Sequence, residues 1–312
     1  MYQQTIAAEV AFHGVGVHTG MPVSLVLIPA EANTGIVFRR RLDDGAVRDV
    51  RAISANAPQG DLSTMIGDGD GVVIATIEHL MAALYAAGID NAIVEINAGE
   101  TPIMDGCAAA FMAAIDDAGL VSQPVKRRYI RVLKTVTVEH NGARAEYRPH
   151  DATRFEVEID FDCAAIGRQS YAADLTADRF KRDLAKARTF GFMKDVERLW
   201  AAGYALGSSL ENSVVIDVDG GIVNPDGLRY EDEFVRHKAL DAVGDQALAG
   251  SRIIGCYASY RGGHRLNAMA LQALLSDASA FEYVELPARR TDPVRHAPLV
   301  AVAAPAYGPQ ML

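Results

Sequence analysis

GDGDGVVIATIEHLMAALYAAGIDNAIVEIN, residues 67–97, holds a turn, a strand, a helix and a second strand in direct succession. The glycines and aspartates of GDGDG form the turn, and VVIA behind them is β-rich. Thr76 is the expected N-cap of a helix that runs to Tyr85–Ala87, with Gly88 as its stop. NAIVEIN then returns as a strand. On the N-terminal side, VSLVLI (23–28) and GIVFR (35–39) read as strands, and the first forty residues read as strands throughout. On the C-terminal side, Cys107–Ala118 is Ala-rich and helical up to Gly119. KRRYIRVLK after Gln123-Pro124 looks like a fresh start, which divides the chain into domains 1–125 and 126–312. Strands are expected at 130–138, 143–148, 155–161, 214–216 and 253–260, and helices at 177–187, 193–202, 232–248 and 266–278. Each half runs strands, helix, strand, helix, so the fold class is α+β with two similar lobes.

The chain has 312 residues, half of them hydrophobic and 22% charged. That is globular composition, with length for about two domains at roughly 150 residues each. Lys plus Arg number 30 against 40 Asp plus Glu, a net charge of −10. An acidic surface excludes general nucleic-acid binding, which needs a basic one, though a local basic pocket for a small anion is compatible with it. Cys107, Cys163 and Cys256 stand alone, so neither a disulfide framework nor a zinc ribbon is expected. No signal peptide or transmembrane segment is read, and the stretch 297–312 reads as a loose or docked C-terminal tail. A cytoplasmic protein is expected.

Several motifs fail. Gly14, Gly16 and Gly20 have the wrong spacing and context for a dinucleotide site. GDGDG lacks the acidic twelfth position of a calcium loop, where His79 stands. No P-loop and no HExxH or HxxEH zinc signature occurs.

Two motifs hold. In RHKALDAVGD, residues 236–245, His237 and Asp241 are four apart on the expected helix and leave the same face. An imidazole and a carboxylate so placed can chelate a metal. They also suit a solvated polar face. Glu78-His79 opens the otherwise apolar helix IEHLMAALYAA. A buried carboxylate and imidazole need partners. The alternative is a pair that favours the helix N-terminus, where Glu contributes about 0.3–1 kcal/mol. Taken together, His79, His237 and Asp241 would give three ligands and an open fourth position, the pattern of a catalytic zinc. His264 follows Gly262-Gly263, with Arg261 beside it. It is either a site residue or a helix cap.

The chain resembles the UDP-3-O-acyl-N-acetylglucosamine deacetylase family, zinc amidases of lipid A biosynthesis in Gram-negative bacteria. The resemblance rests on GVGVHTG (14–20), TGIVFRR (34–40), TIEHLMAAL (76–84), GIDNAIVEIN (88–97), PIMDG (102–106), ARTFGFM (187–193), VNPDG (223–227), YEDEFVRHKALDAVGD (230–245) and GGHRLN (262–267). It implies two lobes, each a β-sheet, with helices packed between them in a sandwich. It implies zinc, or alternatively ferrous iron, on His79, His237 and Asp241. It gives Glu78 the role of general base and His264 that of an imidazolium that protonates the leaving amine or steadies the tetrahedral intermediate. Asp245 would hold His264 charged, Thr189 would donate to the oxyanion, and Lys238 would contact substrate. Phe161 would stack on uracil and Arg261, where the family commonly has Lys, would meet the diphosphate. Phe190, Val196 and Leu210 would line the acyl passage, with His18 near the site. The substrate implied is UDP-3-O-acyl-N-acetylglucosamine, and a monomer is expected. The competing readings are a non-catalytic sugar-nucleotide-binding protein, which should lack Glu78 or a ligand, and a zinc deacetylase for another N-acyl sugar.

Overall fold

The computed structural model describes residues 1–42, 44–58 and 60–287. The expected tail, 297–312, lies outside them. Among the described residues, two main sheets and six helices make an α+β fold. The first sheet has five strands, in the spatial order Val10–Val15, Pro22–Pro29, Ala92–Ile96, Ile36–Arg41, Val47–Arg51. Its one parallel pair, Ile36–Arg41 with Ala92–Ile96, is where the chain crosses over through α1 (Glu78–Ala87). The second sheet has seven strands drawn from residues 128–285. Arg252–Tyr260 is its hub, pairing parallel with Arg128–Val132 and Thr153–Asp160 and antiparallel with Ala143–Arg148.

Helices pack on one another and on the strands. α2 (Ala109–Ala118) packs on α1 and on the first sheet, with Phe12 and Phe111 ring centroids 5.0 Å apart. α3 (Ala177–Asp183) and α4 (Met193–Ala201) follow the strands of the second half. α5 (Glu233–Gln246) packs on α1 and on Thr153–Asp160, and α6 (His264–Ser276) packs on α5 and on the strands at 136–148. Burial explains the apolar composition of α1. Every residue of Glu78–Ala86 is buried, so this helix has no solvent face to load with charge. Most of α5 is buried as well, Glu233, Asp241 and Asp245 among it. No helix among the described residues is long and apolar enough to cross a membrane.

Some expectations need correction. Thr76 does not cap α1. It sits at φ 58° and its hydroxyl donates to Glu100, and the position before Glu78 is Ile77, with no side-chain cap. The C-terminal stop is as expected, with Gly88 at φ 92°. The stretch 130–138 is two strands, Arg128–Val132 and Val136–His140, and the helix expected over 177–187 ends at Asp183. Gln123-Pro124 lies inside a strand, Leu120–Lys126, which among the described residues pairs only with Tyr2–Ile6. Proline is tolerated in such an edge strand. Strands that escaped the sequence reading include Val47–Arg51, Leu120–Lys126, Arg168–Asp174, Phe190–Phe192 and Phe281–Glu285. In GDGDG, the Asp68 carboxylate accepts from the Asp70 and Val72 amides, a local turn device.

Candidate metal centre and active site

α1 and α5 cross where Gly244 meets the backbone of Glu78. A Cβ at Gly244 would lie only 2.0 Å from the Glu78 carbonyl oxygen. No rotamer relieves a clash with backbone, so glycine sets the closeness of the helices here. Gly244→Ala should therefore destabilise the protein despite alanine's better helix propensity. Overpacking typically costs about 1–3 kcal/mol, more than the ~1 kcal/mol propensity gain. Thermal melts and the activity of that variant check this. A melting temperature at or above wild type would contradict it.

The crossing brings His79 of α1 against His237 and Asp241 of α5. One ligand atom of each lies within 4.8 Å of the others, and all three residues are buried. His79 Nε2 is 3.6 Å, and His237 Nε2 3.3 Å, from Asp241 Oδ1. His237 Nδ1 lies 3.0 Å from the Ala187 carbonyl, which can only accept, so Nδ1 carries the proton and Nε2 presents a lone pair. Burial drives the His237 pKa down to about 3, which keeps the ring neutral. Asp241 Oδ1 is buried and has no hydrogen-bond partner among the described residues. A lone pair facing an orphan carboxylate oxygen in a dry site is unfavourable unless a cation joins them. Two imidazole nitrogens and one carboxylate oxygen fit a divalent transition metal with an open position. The second oxygen, Oδ2, accepts from Lys238 Nζ at 2.8 Å.

Around this cluster stand the other candidate acid–base groups. Glu78, one residue before His79, is 3% exposed and accepts the Thr64 amide at 3.0 Å. Burial raises its pKa. His264 opens α6, and its Nε2 is 3.8 Å from Glu78 Oε1. Its Nδ1 donates to Asp245 Oδ2 at 3.0 Å. Burial pulls the His264 pKa down, but Asp245 and Glu78 outweigh it and lift it to about 9. Asp245 is itself fixed by Asn267 Nδ2 at 2.6 Å and by the Thr64 hydroxyl. Thr64 thus touches Glu78, His264 and Asp245 at once.

Phe190 packs edge-on to Phe234 at 5.0 Å and faces His237 at 6.3 Å. Phe161 lies 5.8 Å from Phe190 and 6.0 Å from Phe192, in one aromatic cluster. Thr189 is held by its backbone to Gly106 and Val214, and its hydroxyl makes no hydrogen bond among the described residues. His18 sits in a turn whose amides, with that of Thr19, donate to Glu100. Burial lowers its pKa, and the His264 charge lowers it further. Tyr204 packs edge-on to it at 5.4 Å, and the Leu206 and Gly207 amides donate to the carbonyls of His18 and Val17. Val196 is half-buried on α4, and Leu210 is 40% exposed. Arg261 is exposed, at φ 54°, with no ion pair among the described residues. The structure does not bring Val196, Leu210 or Arg261 into contact with the metal cluster.

Sequence reasoning missed Thr64, Asn267, Glu100 and Gly244. It also missed the buried pair Arg188–Glu233, at 2.9 Å, which ties the ARTFGFM segment to the start of α5. A glycine in mid-helix was a readable signal for Gly244, while Thr64 had none.

A buried cluster of two histidines and an aspartate, with a buried glutamate and a charged imidazole beside it, belongs to the metal-dependent hydrolases. The comparisons narrow this. A family model described as LpxC, UDP-3-O-acyl N-acetylglycosamine deacetylase, matches residues 3–276. Curated proteins named UDP-3-O-acyl-N-acetylglucosamine deacetylase from Brucella ovis and Brucella abortus are each 57% identical over 91% of this chain and 99% of theirs. The protein of that name from Brucella melitensis is 56% identical over the same shares. The chain belongs to the LpxC family of deacetylases.

Proposed function

We propose that the chain removes the N-acetyl group of UDP-3-O-acyl-N-acetylglucosamine, releasing acetate in an early step of lipid A biosynthesis. The observation that carries this reading is the buried His79, His237 and Asp241 triad with Glu78 on the adjoining residue. The triad would hold the metal, zinc by its donor set, with ferrous iron as the alternative. When bound, the metal supplies Lewis acidity to the amide carbonyl and the attacking water. Glu78, ionised, accepts a proton from that water. His264, charged and held by Asp245, gives a proton to the departing amine, without which an amine is not expelled. The Thr189 hydroxyl donates to the developing oxyanion, a contribution of about 2.7–4 kcal/mol in comparable sites. Lys238 neutralises the outer oxygen of Asp241 and can turn to substrate. Phe161 would stack on uracil and Arg261 would meet the diphosphate. Phe190, Val196 and Leu210 would line the acyl passage, with His18 at its side. Acetate release from the acylated substrate and from UDP-N-acetylglucosamine tests the assignment. The acylated compound should react much faster. Equal rates would point to another N-acyl sugar.

The pH dependence follows from the two ionisations. Glu78 must be deprotonated, so the rate falls as pH drops through its raised pKa. His264 must be protonated, so the rate falls as pH rises through its own, at about 9. The rate profile should be bell-shaped, and His264→Gln should lose the alkaline limb in whatever activity it keeps. An alkaline limb unchanged in that variant would remove His264 from the reaction.

A further inference from the structure

A cavity of about 290 Å³ opens at the far end of α1, away from the metal cluster. Tyr85, which lines it, stands six residues beyond His79, about 9 Å along the helix. Four arginines reach it, Arg51, Arg127, Arg128 and Arg252, against one carboxylate, Asp90. In a chain of net charge −10 that is a local inversion of sign. Asp90 is already engaged. It accepts from Arg127 Nε at 2.9 Å and Nη2 at 2.6 Å and from the Gln4 amide.

Among the described residues Arg252 has no such partner. Its guanidinium lies over the Tyr85 ring at 4.7 Å, and its Nε and Nη2 are buried with no hydrogen bond among the described residues. The guanidiniums of Arg127 and Arg252 converge on Gly88, where an added Cβ would lie 3.8 Å and 3.9 Å from their respective Nη2 atoms. Burial pushes the Arg252 pKa below its ordinary value, and Arg127 adds to the effect. The Tyr85 hydroxyl accepts from the Ile253 amide and keeps its own proton to donate. Ile36, Met81 and Leu84 give the cavity an apolar wall.

A planar guanidinium fork matches the two oxygens of a carboxylate or phosphate. We propose that this cavity binds a small organic anion, a carboxylate or phosphate head on a short apolar body, with Arg252 as its principal contact. The head would take the orphan N–H groups and the Tyr85 proton, and the body would cover the apolar wall.

Calorimetric titration of the full-length, metal-loaded protein with hexanoate, hexyl phosphate and inorganic phosphate tests this. Hexanoate and hexyl phosphate separate the two head groups, and inorganic phosphate tests the need for the apolar body. One of the two organic anions should bind at one per chain, and more tightly than inorganic phosphate. Arg252→Met should weaken it at least tenfold, and Arg51→Ala, at the exposed rim, about threefold. Chelator-stripped wild-type protein should bind it equally well. If Arg252→Met fails to fold, Arg51→Ala decides. No binding by either organic anion, binding indifferent to both arginine variants, or binding that disappears when the metal is stripped would overturn the inference.

Discussion

Glu78→Gln should lower kcat by about 10²- to 10⁴-fold, the span that general base catalysis typically supplies. Substrate affinity and metal content should change little. Glutamine keeps the shape and can still accept the Thr64 amide that Glu78 accepts, so the helix crossing is not disturbed. Glu78 and His79 are adjacent on α1 and so point about 100° apart, which lets one serve as base while the other serves as ligand. The loss belongs in kcat, as for an interaction made in the transition state. Near-normal kcat would remove Glu78 from the role of base. Loss of the metal would make Glu78 itself a ligand.

His237→Ala should release the metal and bring turnover to background. Outer partners of metal ligands alone are worth about 10–100-fold in affinity, so deletion of a ligand should exceed 100-fold. The variant also leaves Asp241 and His79 facing each other across a void, with the Ala187 carbonyl unpaired. Its melting temperature should fall, and added metal should no longer raise it. Full metal content after dialysis would show that the site lies elsewhere.

Much of the site was legible because its residues break local rules. Glu78 and His79 are polar groups in a helix otherwise free of charge, and the structure buries them as partners of α5. His237 and Asp241 carry the four-residue spacing that places two side chains on one helix face. Thr64 was illegible. It lies in a loop without periodicity, and its value comes from meeting Asp245, 181 residues away, a contact that only the folded chain makes. The strand at 120–126 was hidden for a related reason. Its proline argues against a strand until the single pairing with Tyr2–Ile6 is known. Arg252 carried no signal in the sequence, and only the fold places it beside Arg127, its Nε and Nη2 without a hydrogen-bond partner among the described residues. The false helix cap at Thr76 has the same origin, since Glu100, 24 residues on, claims its hydroxyl.

The most direct measurement is acetate release from UDP-3-O-acyl-N-acetylglucosamine by the chelator-stripped protein as metal is titrated back, with bound metal counted by elemental analysis. The account predicts no turnover when stripped and linear recovery that ends at one metal ion per chain, with none bound by His237→Ala. Full activity in the stripped protein, or an equal metal content in His237→Ala, would contradict it.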